Sequence, residues 1–490
     1  MAASQLHLLK SRRLLPLFVT QFLGAVNDNL FKTALVTLIT YGDQNSSMQT
    51  RVIVALATAI FILPYFLFSA TAGQLADKFE KAGLIRYVKL WEIGVMVLAA
   101  VGFALDNTAY QLAVLFFLGV QSTFFGPVKY GILPDHLATD ELVGGNALIE
   151  AGTFLAILIG TIAGVHLIGL SNGPTVVAAA LLSFALAGWI ASLFIPPAHR
   201  AMPDLRINPN MVTETRAIIR HANTRRDISL SIIGISWFWA VGATYLSQLP
   251  TYAKETLGAD PDVLNLFLTV FSVGIGVGSV LCARLLRGEV SARFAPLGAL
   301  GMALFTFDLY AASTHAIGGG GALVGIGAFL SHGANWRLIG DLFAIAACGG
   351  LFIVPLYTIM QARSDESHRS RVVAANNILN AVYIVVAGVI SALMLAAGLT
   401  VPEVFLTVGV VNAIAAVVVM RLLPGALLKS LLAGLFRLVY GVQVRGLEHV
   451  VEAGERVVIV ANHLSFIDGA LLATFLPGRP AFAVAANRAA

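Results

Sequence analysis

Long apolar runs alternate with short polar breaks along almost the whole of this 490-residue chain. Twelve runs stand out, at about 14–40, 51–76, 84–105, 108–127, 146–170, 174–195, 228–250, 262–286, 293–313, 338–360, 376–397 and 401–423. At about 1.5 Å of rise per residue, even the shortest can cross a hydrocarbon layer of about 30 Å. The pattern therefore predicts twelve membrane helices. The segment 314–337 is Gly-rich and only mildly apolar, and reads as a loop or re-entrant piece on the outer side. The longest polar break inside the membrane region is 196–227, which opens with Pro196-Pro197 and holds a helical-looking basic segment, Val212–Arg226. It divides the runs six and six and reads as a linker lying on the membrane surface. The expected organisation is a six-helix bundle at 1–195, the linker, a second six-helix bundle at 228–424, and a segment of different character at 425–490.

Composition decides the class. The chain is 58% hydrophobic and 12% charged, with mean hydropathy +0.84, whereas soluble domains carry roughly 25% charged residues. This is an all-α polytopic membrane protein. The net charge of +5 does not point to nucleic acid, because the basic residues sit in short loops between apolar runs. With both termini cytoplasmic, the outer loops carry only Arg51, Lys254 and Arg337. The inner segments carry Lys10, Arg12, Arg13, Lys78, Lys81, Arg86 and Lys89, the linker arginines, and Arg284, Arg287, Arg293, Arg363, Arg369 and Arg371. That asymmetry selects the topology. Cys282 and Cys348 give neither a disulfide framework nor a metal spacing, and no metal or cofactor is expected. The first apolar run is too long for a cleavable signal peptide and lacks a small-residue cleavage site.

Polar residues inside the runs carry the candidate chemistry. In Gln21–Lys32 (Gln-Phe-Leu-Gly-Ala-Val-Asn-Asp-Asn-Leu-Phe-Lys), helical spacing puts Gln21, Asp28 and Lys32 on one stripe. An ionisable group at mid-membrane costs about 3 kcal/mol on insertion scales. Such groups usually face a protein interior or a wet cavity, so the stripe reads as the wall of a polar pathway. The alternative is a snorkelling lysine beside an asparagine packing seam. The two halves look related. Gly126-Pro127 ends run four, and Asn146, Glu150 and Thr153 open run five; Val354-Pro355 lies in run ten, and Asn376, Asn380 and Tyr383 open run eleven. Both trios follow i, i+4, i+7 and so lie on one helix face. This matches the duplicated architecture of transporters. Glu92, His166, Asp308 and Asp341 are weaker polar candidates. No phosphate-cradling Gly loop with Lys-Ser/Thr is present to suggest ATP drive.

Between runs two and three the chain reads Gly73-Gln-Leu-Ala-Asp-Lys-Phe-Glu-Lys81. This resembles the loop signature of the major facilitator superfamily. The resemblance implies a gating motif: Gly73 permits close helix approach, Asp77 faces the N-terminal end of a neighbouring helix, and Lys78 and Lys81 pair with acidic groups. Glu80 stands where the signature usually has glycine. Three further segments are similar to the bacterial lysophospholipid transporter family: the Gln21–Lys32 core, Phe125-Gly-Pro-Val-Lys-Tyr-Gly131 and Trp237-Phe-Trp-Ala-Val-Gly242. The resemblance covers about 1–424. It implies a flippase that moves lysophospholipid, chiefly lysophosphatidylethanolamine, from the outer to the inner leaflet of the bacterial inner membrane. It also implies an acyltransferase/acyl-ACP synthetase partner for re-acylation. A zwitterionic head needs both signs of charge. Asp28 suits its ammonium, Lys32 or Lys129 its phosphate, and Gln21, Asn27, Gln121, Glu150, Asn377 and Asn380 are candidates for the cavity lining. For each of these the alternative is an interhelical hydrogen bond.

After Pro424 the character changes. Gly425–Tyr440 suits a helix in the inner interface, and Val442–Leu447 and Arg456–Val460 read as short strands. Asn462-His463-Leu-Ser465-Phe-Ile-Asp468 resembles the His-x4-Asp motif of glycerolipid acyltransferases, in which the histidine is the base and the aspartate orients it. The expected reading is the truncated start of an α/β acyltransferase domain, fused as in bacterial transporter/acyltransferase fusions and inactive alone. Two rival readings are a proton-coupled small-molecule or drug exporter of the same superfamily, and a membrane-anchored lysophospholipid acyltransferase.

Overall fold

The computed structural model describes residues 5–42, 47–313, 323–422, 426–446, 449, 465 and 467–476. Each apolar run becomes a helix, since in a membrane a helix satisfies every backbone polar group within its own segment. The helices are α1 (Leu15–Gly42), α2 (Ser47–Lys78), α3 (Lys81–Leu105), α4 (Thr108–Gly131), the short α5 (Leu133–His136), α6 (Leu142–Ile168) and α7 (Gly173–Leu193). The linker contributes α8 (Met211–Ala222). The second half holds α9 (Arg226–Thr251), α10 (Pro261–Leu286), α11 (Ala295–Ser313), the short α12 (Ile326–Ser331), α13 (Gly333–Arg363), α14 (Arg369–Ala396) and α15 (Val401–Leu422). Among the described residues the tail adds α16 (Ala426–Tyr440) and α17 (Asp468–Phe475).

Eleven helices among the described residues are long and apolar enough to cross a membrane. The twelfth, α1, has the length, at 28 residues, but carries Asn27, Asp28, Asn29 and Lys32 in its middle. Helix starts follow local chemistry. Asn107, Asn210 and Asp260 cap α4, α8 and α10 by accepting from backbone N–H groups two or three residues on. Glu80 caps α3 through Ala82 N (2.8 Å) and Gly83 N (2.6 Å), and also accepts from Ala198 N at the linker (2.8 Å). Its departure from glycine thus adds a cap and a tether.

In the first bundle α1 packs on α6 and α7, α2 on α4, and α3 on α4 and α7. In the second, α10 and α11 pack on α13, α9 on α14 and α13, and α11 on α15. The bundles meet along α6–α10, α2–α14, α4–α14 and α6–α13. Glycine sets the closest approaches. A Cβ on Gly73 would fall 2.8 Å from Ala374 Cβ, and one on Gly350 would fall 2.6 Å from the Ile275 carbonyl oxygen. Large apolar side chains such as Leu186, Ile190, Val386, Val389, Leu393 and Ile414 stay exposed on the outer faces. A lipid environment covers such faces without cost.

Two expectations change. The segment 323–332 is a single bridge, Ala259 to Val324, followed by α12, and α13 starts at Gly333 rather than near 338. The linker is also more than a surface strap: Met202 N donates to Asp77 O (2.8 Å), and Asn208 N donates to Gln74 Oε1 (2.7 Å). In the tail, residues 441–446 carry no strand, having no neighbouring strand to pair with among the described residues. Arg456–Val460 lies outside the described residues.

Candidate functional site

A buried polar network fills the middle of the first bundle. Its hub is Glu92 of α3, 1% exposed. Glu92 Oε2 accepts from Lys89 Nζ (2.5 Å) and Gln121 Nε2 (2.9 Å), and Oε1 accepts from Asn27 Nδ2 (3.2 Å). Ser122 Oγ then donates to Asp28 Oδ2 at 2.7 Å. Asp28 and Lys32 form no ion pair within 4 Å; the Lys32 ammonium lies 5.7 Å from the centre of the Phe61 ring. Gln21 accepts from Thr153 Oγ1 of α6 (3.2 Å). Buried polar atoms without a protein partner remain on this network: Gln21 Nε2, Asn27 Oδ1 and Asp28 Oδ1. A native interior rarely leaves such groups unmatched, so their hydrogen-bonding capacity is available to a ligand or to water.

Beside the network lies the junction of the two bundles. Tyr130 of α4 stacks on Tyr357 of α13, with ring centres 4.5 Å apart and planes 8° apart. Tyr130 OH donates to Glu150 Oε1 (2.6 Å), and Glu150 Oε2 has no partner. The Lys129 ammonium sits 4.4 Å from the Tyr130 ring centre, within electrostatic reach of Glu150, Asp28 and Lys89. Trp239 Nε1 donates to Tyr357 OH (3.0 Å) and its ring stacks on Phe154. Asn146 of α6 and Gln361 of α13 exchange two amide hydrogen bonds, 2.8 and 2.9 Å. The halves exchange contacts in a related way on the other side, where Asn377 of α14 lies against Gly126 of α4. Asn377 Nδ2 has no partner, while Asn380 Oδ1 accepts from Ser236 Oγ (2.8 Å).

The linker end of the molecule is latched. Asp77, fully buried, accepts from the Ser370 backbone N–H and from Arg371 Nε, each at 3.0 Å, at the start of α14. Negative charge is favoured there by the exposed N–H groups of a helix start. Lys81 pairs with Asp135 (2.8 Å), which also takes Arg369 from the other bundle (3.2 Å). Lys78 makes no ion pair among the described residues and lies over Phe79 instead. Arg13 forks onto Glu141 (2.7 and 2.8 Å), and that hydrogen bonding holds the Glu141 carboxyl below the ordinary range. In the tail, His463 lies outside the described residues. Asp468 starts α17 and accepts from Ser465 N (2.7 Å), and α17 packs on α16 with Arg437 over Phe475.

Asn27, Asp28, Gln121, Lys129 and Glu150 therefore gather on the first-bundle side, with Gln21 about two turns before Asp28 on α1. Asn377 and Asn380 belong to the second bundle. Sequence reasoning missed the hub itself. Lys89 reads as one more inner-loop cation and Glu92 as an interfacial residue. The available signal was their i, i+3 spacing, which lets the two charges meet on one helix face. It also missed Gln361 and Tyr357, and gave Trp239, within the Trp237–Gly242 segment, no role of its own.

The Major Facilitator Superfamily profile matches residues 17–344. The lysophospholipid transporter LplT of Salmonella newport (strain SL254) is 31% identical over 371 residues, covering 73% of this chain and 81% of that protein; the LplT of Salmonella typhi gives the same figures. Among solved structures, the human organic anion transporter MFSD10 (TETRAN) aligns with TM-score 0.63 at 13% identity, covering 83% of this chain and 98% of its own. The fucose transporter FucP in the outward conformation aligns with TM-score 0.61 at 13% identity, covering 82% and 97%. Profile, relatives and shared fold agree: the chain is a membrane transporter and belongs to the major facilitator superfamily.

Proposed function

We propose that the protein moves a lysophospholipid with a zwitterionic head, chiefly lysophosphatidylethanolamine, from the outer to the inner leaflet of a bacterial inner membrane. The observation that carries the reading is the cluster of both charge signs in one bundle. Asp28 and Glu150 keep unpartnered carboxylate oxygens near Lys129, and Lys32 lies one turn beyond Asp28. Asp28 suits the ammonium, and Lys129 and Lys32 suit the phosphate. Apolar and aromatic walls beside them, including Phe61, Phe154 and Trp239, suit the acyl chain. The 31% identity to proteins called lysophospholipid transporters supports the same substrate. The charge asymmetry of the loops supports cytoplasmic termini, which puts the Asp77 latch on the cytoplasmic side. In this reading Gly73, Asp77 and Lys81 gate the pathway by breaking and remaking the latch. The imported lipid then needs an acyl donor enzyme as partner.

The test is translocation of labelled lysophosphatidylethanolamine in proteoliposomes. Uptake well above protein-free vesicles is expected. Uptake at the protein-free level, with a protein that is folded by circular dichroism, overturns the substrate assignment.

A further inference from the structure

The linker carries an element that the transport site does not use. Helix α8 packs on α2 of the first bundle and on α14 of the second, and so lies across both halves. Glu214, Ile218 and Ala222, at i, i+4 and i+8, form its buried face, while Arg216 and Arg220 are exposed. His221 stands beside that face, half-buried. Its ring stacks on the ring of His368, the residue before α14, with centres 4.1 Å apart and planes 20° apart. His368 Nδ1 also lies 2.8 Å from Ser367 Oγ. Both rings line a cavity of about 120 Å³ between α8 and the start of α14, together with Glu214, Ile218, Arg371 and Val372.

Arg371 joins this cavity to the latch. Its Nε donates to Asp77 (3.0 Å), and its Nη2 donates to the Ser367 carbonyl (2.8 Å) and to Met202 Sδ of the linker (3.2 Å). The seat of α8 and the latch therefore share one side chain. The charged and titratable groups around the stack are Glu214 from α8, Asp365 and Glu366 from the turn that carries His368, Arg371 from α14, and Asp77 and Lys78 from α2. Asp77 is committed to Arg371, and Lys78 lies over Phe79. Imidazole ordinarily takes up a proton at about pH 6.5. One proton on the stack is offset by the nearby carboxylates. A second puts two like charges at stacking distance beside the Arg371 guanidinium, and each disfavours the other. The doubly protonated pair therefore belongs to a state with the rings apart.

We propose that α8 is an acid-released clamp across the two bundles, with the His221–His368 stack as its catch. With at least one ring neutral, the stack holds α8 on α14. Protonation of both rings from water, with no covalent bond formed or broken, parts them and lifts α8 from its seat. The released state binds more protons than the seated one. The seated fraction is therefore full above the ordinary histidine range and falls as pH falls through and below it. Each extra proton bound on release changes the ratio of the two states by up to about tenfold per pH unit. Because the seat shares Arg371 with the latch, release also loosens the Asp77 contact. That last step rests on the gating role proposed for the latch; the clamp itself does not.

The experiment uses the full chain in nanodiscs, without substrate, in a Cys282→Ser/Cys348→Ser background. Spin labels at two exposed sites, Val212→Cys on α8 and Tyr87→Cys on α3, read the seat. They should give one distance above about pH 7.5 and a second, growing population below about pH 6, with the ratio changing by up to about tenfold per pH unit. A second exposed pair, Phe79→Cys and Arg363→Cys, reads the gap between the bundles beside the latch and should shift over the same range. His221→Phe combined with His368→Phe keeps two stackable rings with no proton to gain, and α8 should stay seated at every pH. Each single variant should behave alike, which keeps the test open if the double variant misfolds. An acid population that survives in either single variant, or a native α8 distance that ignores pH, overturns the clamp. A native α8 that leaves its seat while the bundle gap stays fixed supports the clamp and overturns the gating role of the latch.

Discussion

The two bundles share a helix plan and differ in what they bury. The first buries opposite charges in its centre: Lys89 with Glu92, and near them Asp28 and Lys129. The second buries amides and aromatic rings at the same level. Trp237 Nε1 donates to Asn412 Oδ1 (2.8 Å), Asn412 donates to the Ala299 carbonyl (2.8 Å), and Ser236 donates to Asn380. Its buried charge, at Asp341, lies toward one end. Buried charge is costly and is worth keeping only where it does something neutral groups cannot. Under the proposed function, the difference gives recognition of a charged head to the first bundle and leaves stacking and sealing to the second. Among the described residues, the Tyr130–Tyr357 stack, the Asn146–Gln361 exchange and the ion pairs of Asp135 with Arg369 and Asp77 with Arg371 all join the bundles through helix segments near the linker end.

The sharpest way to break this contrast is at the hub. Glu92→Ala should destabilise the protein by about 3–5 kcal/mol, because it strands a buried ammonium, read as a lower unfolding temperature in detergent. Lys89→Met combined with Glu92→Leu should recover most of that loss while abolishing transport. A stable, fully active Glu92→Ala would remove the hub from the account. At the bundle junction, Gln361→Leu leaves the buried Asn146 Oδ1 without its donor, while Nδ2 keeps the Leu142 carbonyl, and should cost about 1–3 kcal/mol. Paired with Asn146→Leu the cost should largely vanish; a double variant as unstable as the single would show that the exchange is not what matters there. Tyr357→Leu should cost about 0.5–1.5 kcal/mol from the lost stack beyond simple burial. The smallest effect is at the surface. Arg13→Gln should cost at most about 1 kcal/mol. Because Glu141 is held below its ordinary range by Arg13, that contribution is present above the unfolded carboxylate pKa and is lost as pH falls through the depressed folded value. The gap between Arg13→Gln and the native protein should therefore close in acid, and a constant gap would contradict the pairing.

Helix number, the linker and the latch residues were legible because each has a one-dimensional signature. Apolar runs of bilayer length mark the spans, and Gly73 through Lys81 is a contiguous motif. Even α1 was legible, although its polar stripe lowers its hydropathy, since the flanking runs are apolar enough. The centre of the site was only half legible. Asp28 and Glu150 stood out as charges inside apolar runs. Lys89 did not, because it follows Lys78, Lys81 and Arg86 and shares their explanation until α3 is seen to carry it inward. Cross-bundle partners such as Gln361 and Tyr357 have no local signal at all; they lie more than two hundred residues from Asn146 and Tyr130. The π turn Tyr252–Thr256, after Pro250, was invisible for a related reason, as it is set by tertiary contacts of Tyr252 rather than by composition. Of the expected strand at Val442–Leu447, residues 442–446 carry none, while Leu447 and the expected partner Arg456–Val460 lie outside the described residues.

The most direct measurement sets the two bundles against each other in one assay. Labelled lysophosphatidylethanolamine translocation is compared in proteoliposomes carrying the native protein, Asp28→Asn or Asn380→Leu, each at equal, folded amounts. Loss of a charge-assisted contact worth about 1.5–3 kcal/mol predicts a fall of roughly ten- to a hundred-fold for Asp28→Asn, against a change of no more than a few-fold for Asn380→Leu. Equal losses in the two variants, or native rates in Asp28→Asn, would contradict the assignment of head-group recognition to the first bundle.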